Sequence, residues 1–215
     1  MIMVEIIIFD AGDVLVLRNE NAFIRAAEQL QQEGWEGTIE EFKSISRNIS
    51  DLLGKGGSDK EVQSILNKYN VPQILDYRDL EVQAFWNNLH PEAKEVLKGL
   101  KTQGIKLGVL TDSVLPENEV KNHLKTHDIL KYIDTVVTSA TLHHVKPEPE
   151  AYLEILGRFK ATPNKNTAFV GHSEDELIGA KELGMLTIEY LPKSTGLANH
   201  HISRLLDLLM LCQHI

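Results

Sequence analysis

A single cysteine, Cys212, stands among the 215 residues, so no intramolecular disulfide can close. Its place in the apolar stretch Leu205 to Cys212 marks it as a buried thiol, and that usage fits a reducing cytoplasm. Basic residues are scarce beside acidic ones, 22 Lys and Arg against 31 Asp and Glu, for a formal charge of -9. Such a field repels polyanions and argues against nucleic acid or an anionic membrane as partner. Missing too is any run near the roughly 20 consecutive apolar residues of a membrane-spanning helix. The N-terminal run Met1 to Phe9 is apolar but short, lacks a basic leader and passes straight into the polar Asp10 to Asp13 turn. It reads as a buried strand and not as a signal segment. Internal repeats and low-complexity tracts are absent.

What is present is enough apolar residue, 42%, for one substantial core with a small second module. Short apolar runs recur at Ile105–Leu110, Thr135–Thr138, Thr167–Val170 and Leu186–Tyr190, separated by segments of helical periodicity. That alternation predicts an α/β fold, a Rossmann-like, doubly wound parallel sheet covered by helices. Ala93, Val96, Leu97 and Leu100 share one helix face, as do Tyr152, Ile155, Leu156 and Phe159. Pro91 and Pro149 are placed in first helical turns.

Residues 19–88 interrupt this rhythm. They hold no convincing strand, and Thr38 with Glu41 and Ser58 with Glu61 spell capping boxes that start helices. Gly54-Lys55-Gly56-Gly57 before Ser58 has neither the spacing of a phosphate-binding loop nor a preceding strand. The expected division is an α/β core of residues 1–18 and 89–215, with 19–88 an all-helical insert over the carboxyl ends of the strands, where open α/β sheets bind ligands.

Four strand ends would then carry the chemistry. Asp10 leaves the first strand, where a carboxylate is either a nucleophile or a strand-end acceptor. Thr111, followed by Asp112 and Ser113, leaves the second. Lys146 stands in Val145-Lys146-Pro147-Glu148-Pro149 ahead of Tyr152. Val170-Gly171-His172-Ser173 leads into Glu174-Asp175-Glu176 and a helix through Gly179 and Gly184.

In order and spacing these four segments resemble the motifs of the haloacid dehalogenase-like superfamily, over residues 4 to about 187, and the insert resembles that family's helical cap. The resemblance implies that Asp10 attacks phosphorus or carbon to form a covalent intermediate, Thr111 hydrogen-bonds the transferred group, and Lys146 neutralises nucleophile and substrate. It implies substrate contacts from Gly12, Asp112 and Ser113, and a Mg²⁺ held by Asp10, the Gly12 carbonyl, Asp175 and Glu176. The implied substrate is a small phosphomonoester. Oligomeric state is left open.

The chain departs from the pattern twice. Gly12 stands where phosphatases of the family usually place a second Asp, and His172 stands where the fourth motif offers a magnesium-binding Asp. An imidazole is a poor substitute there, because magnesium prefers oxygen. Asp13 is one residue too far along and reads as a turn residue, while Ser173 with Glu176 reads as a capping box. A cluster of His143, His144 and His172 is a candidate transition-metal site, with the plain surface-loop reading beside it, and His200 and His201 look like helix-start residues before a last helix from about Ile202 through Cys212. The alternatives to a phosphatase are a 2-haloacid dehalogenase, for which Arg18 and Arg25 are only distant substrate-binding candidates, and a pseudoenzyme that binds without turnover.

Overall fold

The computed structural model describes residues 3–214. The expectation for Met1 and Ile2 therefore lies outside the described residues. Six parallel strands form one sheet in the order β3-β2-β1-β4-β5-β6. They are β1 (Ile6–Phe9), β2 (Lys106–Thr111), β3 (Thr135–Thr138), β4 (Thr167–Gly171), β5 (Leu186–Tyr190) and β6 (His200–Ile202). Every residue of β1 and of β4 is buried. A strand covered on both faces reads as an unbroken apolar run, as Ile6-Ile7-Ile8-Phe9 does.

Alternate side chains of these strands feed two cores. Ile7, Phe9, Leu107, Val109, Val170 and Ile188 pack with α5 (Ala93–Thr102), α6 (Glu117–Thr126) and α10 (Asp207–His214). Ile6, Ile8, Val137 and Phe169 pack with α8 (Pro149–Arg158) and α9 (Glu174–Glu182) on the other face. A one-turn helix, α7 (Ser139–Leu142), follows β3. The predicted faces of α5 and α8 are the buried ones, with Phe159 only partly covered.

Between β1 and β2 the chain forms α1 (Glu20–Gln32), α2 (Ile39–Gly54), α3 (Asp59–Lys68) and α4 (Tyr77–Glu81), the last continuing into a wider π-helical turn, Val82–Trp86. The starts follow the sequence. The Glu41 carboxylate accepts the Thr38 N–H at 2.7 Å, the Thr38 hydroxyl accepts the Glu41 N–H at 3.2 Å, and Glu61 accepts the Ser58 N–H at 2.9 Å. These helices enclose a third core around Leu30, Trp35, Phe42, Ile45, Ile49 and Leu80, and Leu53 and Phe85 touch both this core and that of the sheet.

Three expectations are corrected. His200 and His201 do not start a helix but belong to β6, where Ile188 pairs with His200 and Glu189 with His201. The cause is tertiary: the Asn199 side chain accepts the Thr187 N–H at 3.0 Å, and the buried Glu189 accepts the Thr195 N–H at 3.0 Å, tying the intervening loop to β5. The last helix accordingly begins only at Asp207. Pro149 opens α8 as expected, whereas Pro91 lies before the cap residue of α5, Glu92. No helix among the described residues is long and apolar enough to cross a membrane.

Candidate active site

The order of strands places a crevice. From β1 the chain winds outward through β2 and β3 on one side and through β4, β5 and β6 on the other, so the switch lies between the carboxyl ends of β1 and β4, where such sheets bind ligands. Asp10 follows β1 and His172 follows β4.

Asp10 is 5% exposed. Its N–H donates to the Val170 carbonyl at 2.9 Å, fixing the two strand ends together. The following turn is closed by the Leu15 and Val16 N–H groups on the Ala11 carbonyl at 2.9 and 3.0 Å. Asp13 takes a left-handed backbone, φ 54°, accepts the Arg18 N–H at 3.0 Å and pairs with its guanidinium at 2.9 Å. It is the turn residue that was expected, and Arg18, stacked over Phe85 at 5.5 Å, is committed to it.

Lys146 reaches Asp10 across 136 positions of sequence. Its side chain is 1% exposed, with Nζ 2.6 Å from Asp10 Oδ1, 3.3 Å from Glu176 Oε2 and 3.7 Å from Asp112 Oδ2. The Lys146 N–H also donates to Asp112 Oδ1 at 3.1 Å. Burial alone would lower the lysine's pKa, but Asp10, Asp112 and Glu176 outweigh it and hold the ammonium well above the ordinary range. Burial would likewise raise Asp10, yet Lys146 and His172 hold its carboxyl below the usual value, so this carboxylate carries charge. For Glu176, burial wins over Lys146 and pushes the carboxyl up to about 7. Asp112 is raised for the same first reason.

His172 stands on the other side of Asp10, with Nδ1 3.4 Å from Asp10 Oδ2 and Nε2 3.9 Å from Asp13 Oδ2. The approach of Asp10 raises the imidazole's pKa against the effect of burial. A cavity of about 340 Å³ opens beside this ring, lined by Asp13, His172, Tyr190, Leu191, Pro192 and Ser203.

The sequence-derived residues thus divide. Asp10, Lys146, Asp112, Glu176 and His172 converge. Thr111 ends β2, 4% exposed, and Gly12 lies beside Phe85, which a Cβ there would meet at an ordinary 3.8 Å. Ser113, expected as a substrate contact, spends its hydroxyl on Glu81 and is buried. Asp175 is exposed on the first turn of α9. The Ser173–Glu176 capping box does not form, because Glu176 turns its carboxylate to Lys146 while its carbonyl accepts the Tyr152 hydroxyl at 2.8 Å. The three histidines do not gather: His144 pairs with Glu148 at 2.8 Å and His172 lies against Asp10.

Glu81 escapes sequence reasoning altogether. Its buried carboxylate accepts the Ser113 hydroxyl, the Val114 N–H at 2.8 Å and the Trp86 indole N–H at 3.0 Å. Asp79-Leu80-Glu81-Val82 reads as an ordinary helix segment, and no local signal points to partners some 32 positions away.

Known proteins carry this architecture. A family model described as haloacid dehalogenase-like hydrolase matches residues 7–189. The chain is 28% identical over 200 residues to a glyceraldehyde 3-phosphate phosphatase of Methanocaldococcus jannaschii, covering 88% of this chain and 86% of that protein. It is 28% identical over 136 residues to a phosphoglycolate phosphatase of Pseudomonas fluorescens, covering 63% of this chain and 46% of that protein. Among solved structures, a HAD phosphatase from Thermococcus onnurineus superposes with TM-score 0.69 at 22% identity, over 96% of this chain and 97% of the other. An L-2-haloacid dehalogenase from Xanthobacter autotrophicus does so with TM-score 0.71 at 17% identity, over 99% and 100%. At those identities the structures attest the fold alone, while the family match spans most of the sequence: the chain belongs to the haloacid dehalogenase-like hydrolases.

Proposed function

We propose that this hydrolase acts on small phosphomonoesters with Asp10 as nucleophile, in the cytoplasm that its lone cysteine favours. The carrying observation is the buried Asp10–Lys146 pair at the switch point, 2.6 Å apart. An ionised carboxylate meets a phosphate dianion only if a cation lies between them, and Lys146 is placed to be that cation. Asp10 forms a bond to phosphorus as the bond to the ester oxygen breaks, and the leaving alkoxide takes a proton from water, no carboxyl standing at position 12 to give one. Water then attacks phosphorus of the aspartyl phosphate, releasing inorganic phosphate and returning the carboxylate. Thr111 is the candidate hydrogen-bond donor to the transferred group, and Gly12 leaves room for it beside Asp10. Asp112 and Glu176 balance the lysine, and Ser113 holds the loop through Glu81.

The helices of residues 19–88 act as the cap in this reading. Support comes from Phe85 beside Gly12, from Glu81 bonded to the loop after β2, and from Gly54, whose absent Cβ would lie 2.6 Å from Ser139 Oγ. The phosphatase names of the archaeal and pseudomonad relatives support a phosphorylated substrate.

The family implies Mg²⁺, and the donors here do not fit it. Among the described residues the one group of three acidic, histidine or cysteine side chains whose ligand atoms all lie within 4.8 Å of one another is His144, Glu148 and Glu150, which does not include Asp10. Asp175 is exposed, Glu176 faces Lys146, and an imidazole fronts Asp10 Oδ2. Magnesium demands an octahedron of oxygens, so no step is routed through it.

The test is phosphate release from an aryl phosphate and a panel of small phosphomonoesters, with Asp10→Asn as control. Turnover lost in that variant is expected; silence across the panel, with chloride release from a 2-chloro acid or with neither, would replace the phosphatase by a dehalogenase or a binding protein.

A further inference from the structure

Both oxygens of the Asp10 carboxylate are spoken for. Oδ1 accepts from the Lys146 ammonium at 2.6 Å and from the Ala11 N–H at 2.9 Å. Oδ2 faces the His172 ring, whose Nδ1 is buried without a hydrogen-bond partner 3.4 Å away. That ring is also braced from behind, since Nε2 lies 3.9 Å from Asp13 Oδ2, and Asp13 is itself pinned by Arg18. We infer that His172 is a catalytic residue occupying the place of a divalent cation at the nucleophile's second oxygen, so that this site performs its chemistry without a metal.

The donor set explains the exchange. In the pattern described above a cation at Asp10 is held by oxygens, from the Asp10 carboxylate, from the Gly12 carbonyl and from a carboxylate on the residue after Gly171. The Gly12 carbonyl is kept, but the residue after Gly171 is His172, so an imidazole stands where that carboxylate would be. With Lys146 hydrogen-bonded to Asp10 Oδ1 and within 4 Å of Asp112 and Glu176, a ring N–H near Oδ2 supplies a directional donor that a phosphoryl oxygen entering between Asp10 and His172 can accept. It serves the purpose of a metal's charge by orienting the incoming group against the attacking oxygen. The cavity of about 340 Å³ opens on the same ring, between Asp13 and Tyr190.

This inference rests on the phosphatase reading for its substrate but not for its test. Mn²⁺ titrations followed by electron paramagnetic resonance count bound against free ion without any turnover. With Glu150→Gln in place to dismantle the His144–Glu148–Glu150 cluster, the otherwise wild-type protein is expected to leave the free Mn²⁺ signal undiminished, and its phosphatase rate is expected to be unchanged by EDTA. His172→Asp, which returns an oxygen donor to Oδ2, is expected to bind Mn²⁺ and to become dependent on Mg²⁺, while His172→Ala loses at least tenfold in kcat with or without metal. If His172→Asp does not fold, His172→Asn carries the same comparison.

Sub-millimolar Mn²⁺ binding by the Glu150→Gln protein with His172 intact, or a rate abolished by EDTA, would overturn the inference. So would a folded His172→Asp or His172→Asn that still fails to bind the ion, since something other than His172 would then be keeping metal out. A wild type that hydrolyses no phosphomonoester sinks the phosphatase reading, and the resonance titration still decides the place of His172.

Discussion

Removing the Lys146 ammonium would leave Asp10, Asp112 and Glu176 facing one another in a place where the lysine side chain is 1% exposed. Losing one partner of a buried charge group costs about 3–5 kcal/mol, because the remaining charges are neither solvated nor paired. Lys146→Met is therefore expected to lose activity and also to unfold at a clearly lower urea concentration than wild type. A variant as stable as wild type would show that the ammonium is not needed to hold the carboxylates. Pairing with Asp10 spans 136 positions, so the chain's segment around Lys146 marks the residue by its Pro-Glu-Pro frame but not by its partners. His172 stands at a position that sequence comparison flags, while its contact with Asp10 Oδ2 and Asp13 is a product of how the β1 and β4 turns meet.

At the scale of elements, two joints position the site. Arg158 on α8 clasps Glu117 on α6 with two hydrogen bonds, 2.6 and 2.9 Å, and donates to the Val136 carbonyl of β3 at 2.9 Å. Burial would raise the Glu117 carboxyl, but Arg158 outweighs it and holds the group below its ordinary 4.5. A carboxyl depressed in the folded state stabilises above its unfolded pKa, and that contribution is lost as pH falls through the folded value. Glu117→Gln should accordingly cost about 1 kcal/mol at pH 7, modest because the pair is part-exposed. The difference from wild type should shrink in melts taken progressively below pH 4.5. A difference independent of pH would assign the loss to packing. The second joint is Gly179 on α9, where a Cβ would lie 2.7 Å from Pro147 Cβ and 2.9 Å from the Pro147 carbonyl oxygen. Gly179→Ala must push α9 off the Lys146–Pro147 segment, with overpacking costs of about 1–3 kcal/mol. It should lower kcat as Glu176 and Lys146 separate. Gly157→Ala, where a Cβ meets nothing within 4 Å, is the control in the same assays and should gain a few tenths to about 1 kcal/mol from helix propensity.

Over the whole molecule, the helices of residues 20–86 and the sheet have separate cores that share Leu53 and Phe85, and Glu81 is one polar link between them, beside the Lys55–Glu148 pair and the His127 ring at the Trp86 carbonyl. Glu81→Ala would orphan the Ser113 hydroxyl, the Val114 N–H and the Trp86 indole N–H, a cost of about 2–3 kcal/mol for buried donors left unpaired. Hydrogen exchange is expected to quicken in α1 to α4 while amides of β1 and β4 stay protected; uniform quickening would mean that the two cores melt together. Five of the six strands were legible because each is a short, mainly apolar run, the mark of an element covered on both faces, even though β5 also buries Thr187 and Glu189. The helical stretch was legible through caps and the absence of such runs. Such features are set within a few residues by backbone preference and by side-chain hydrophobicity, which a sequence displays directly. β6, the Glu81 link, the freeing of Glu176 from its capping box and the meeting of His172 with Asp10 were decided only by the tertiary structure. Each depends on which distant segments pack together, and a side chain's spacing along the chain carries no record of the partner that folding brings to it.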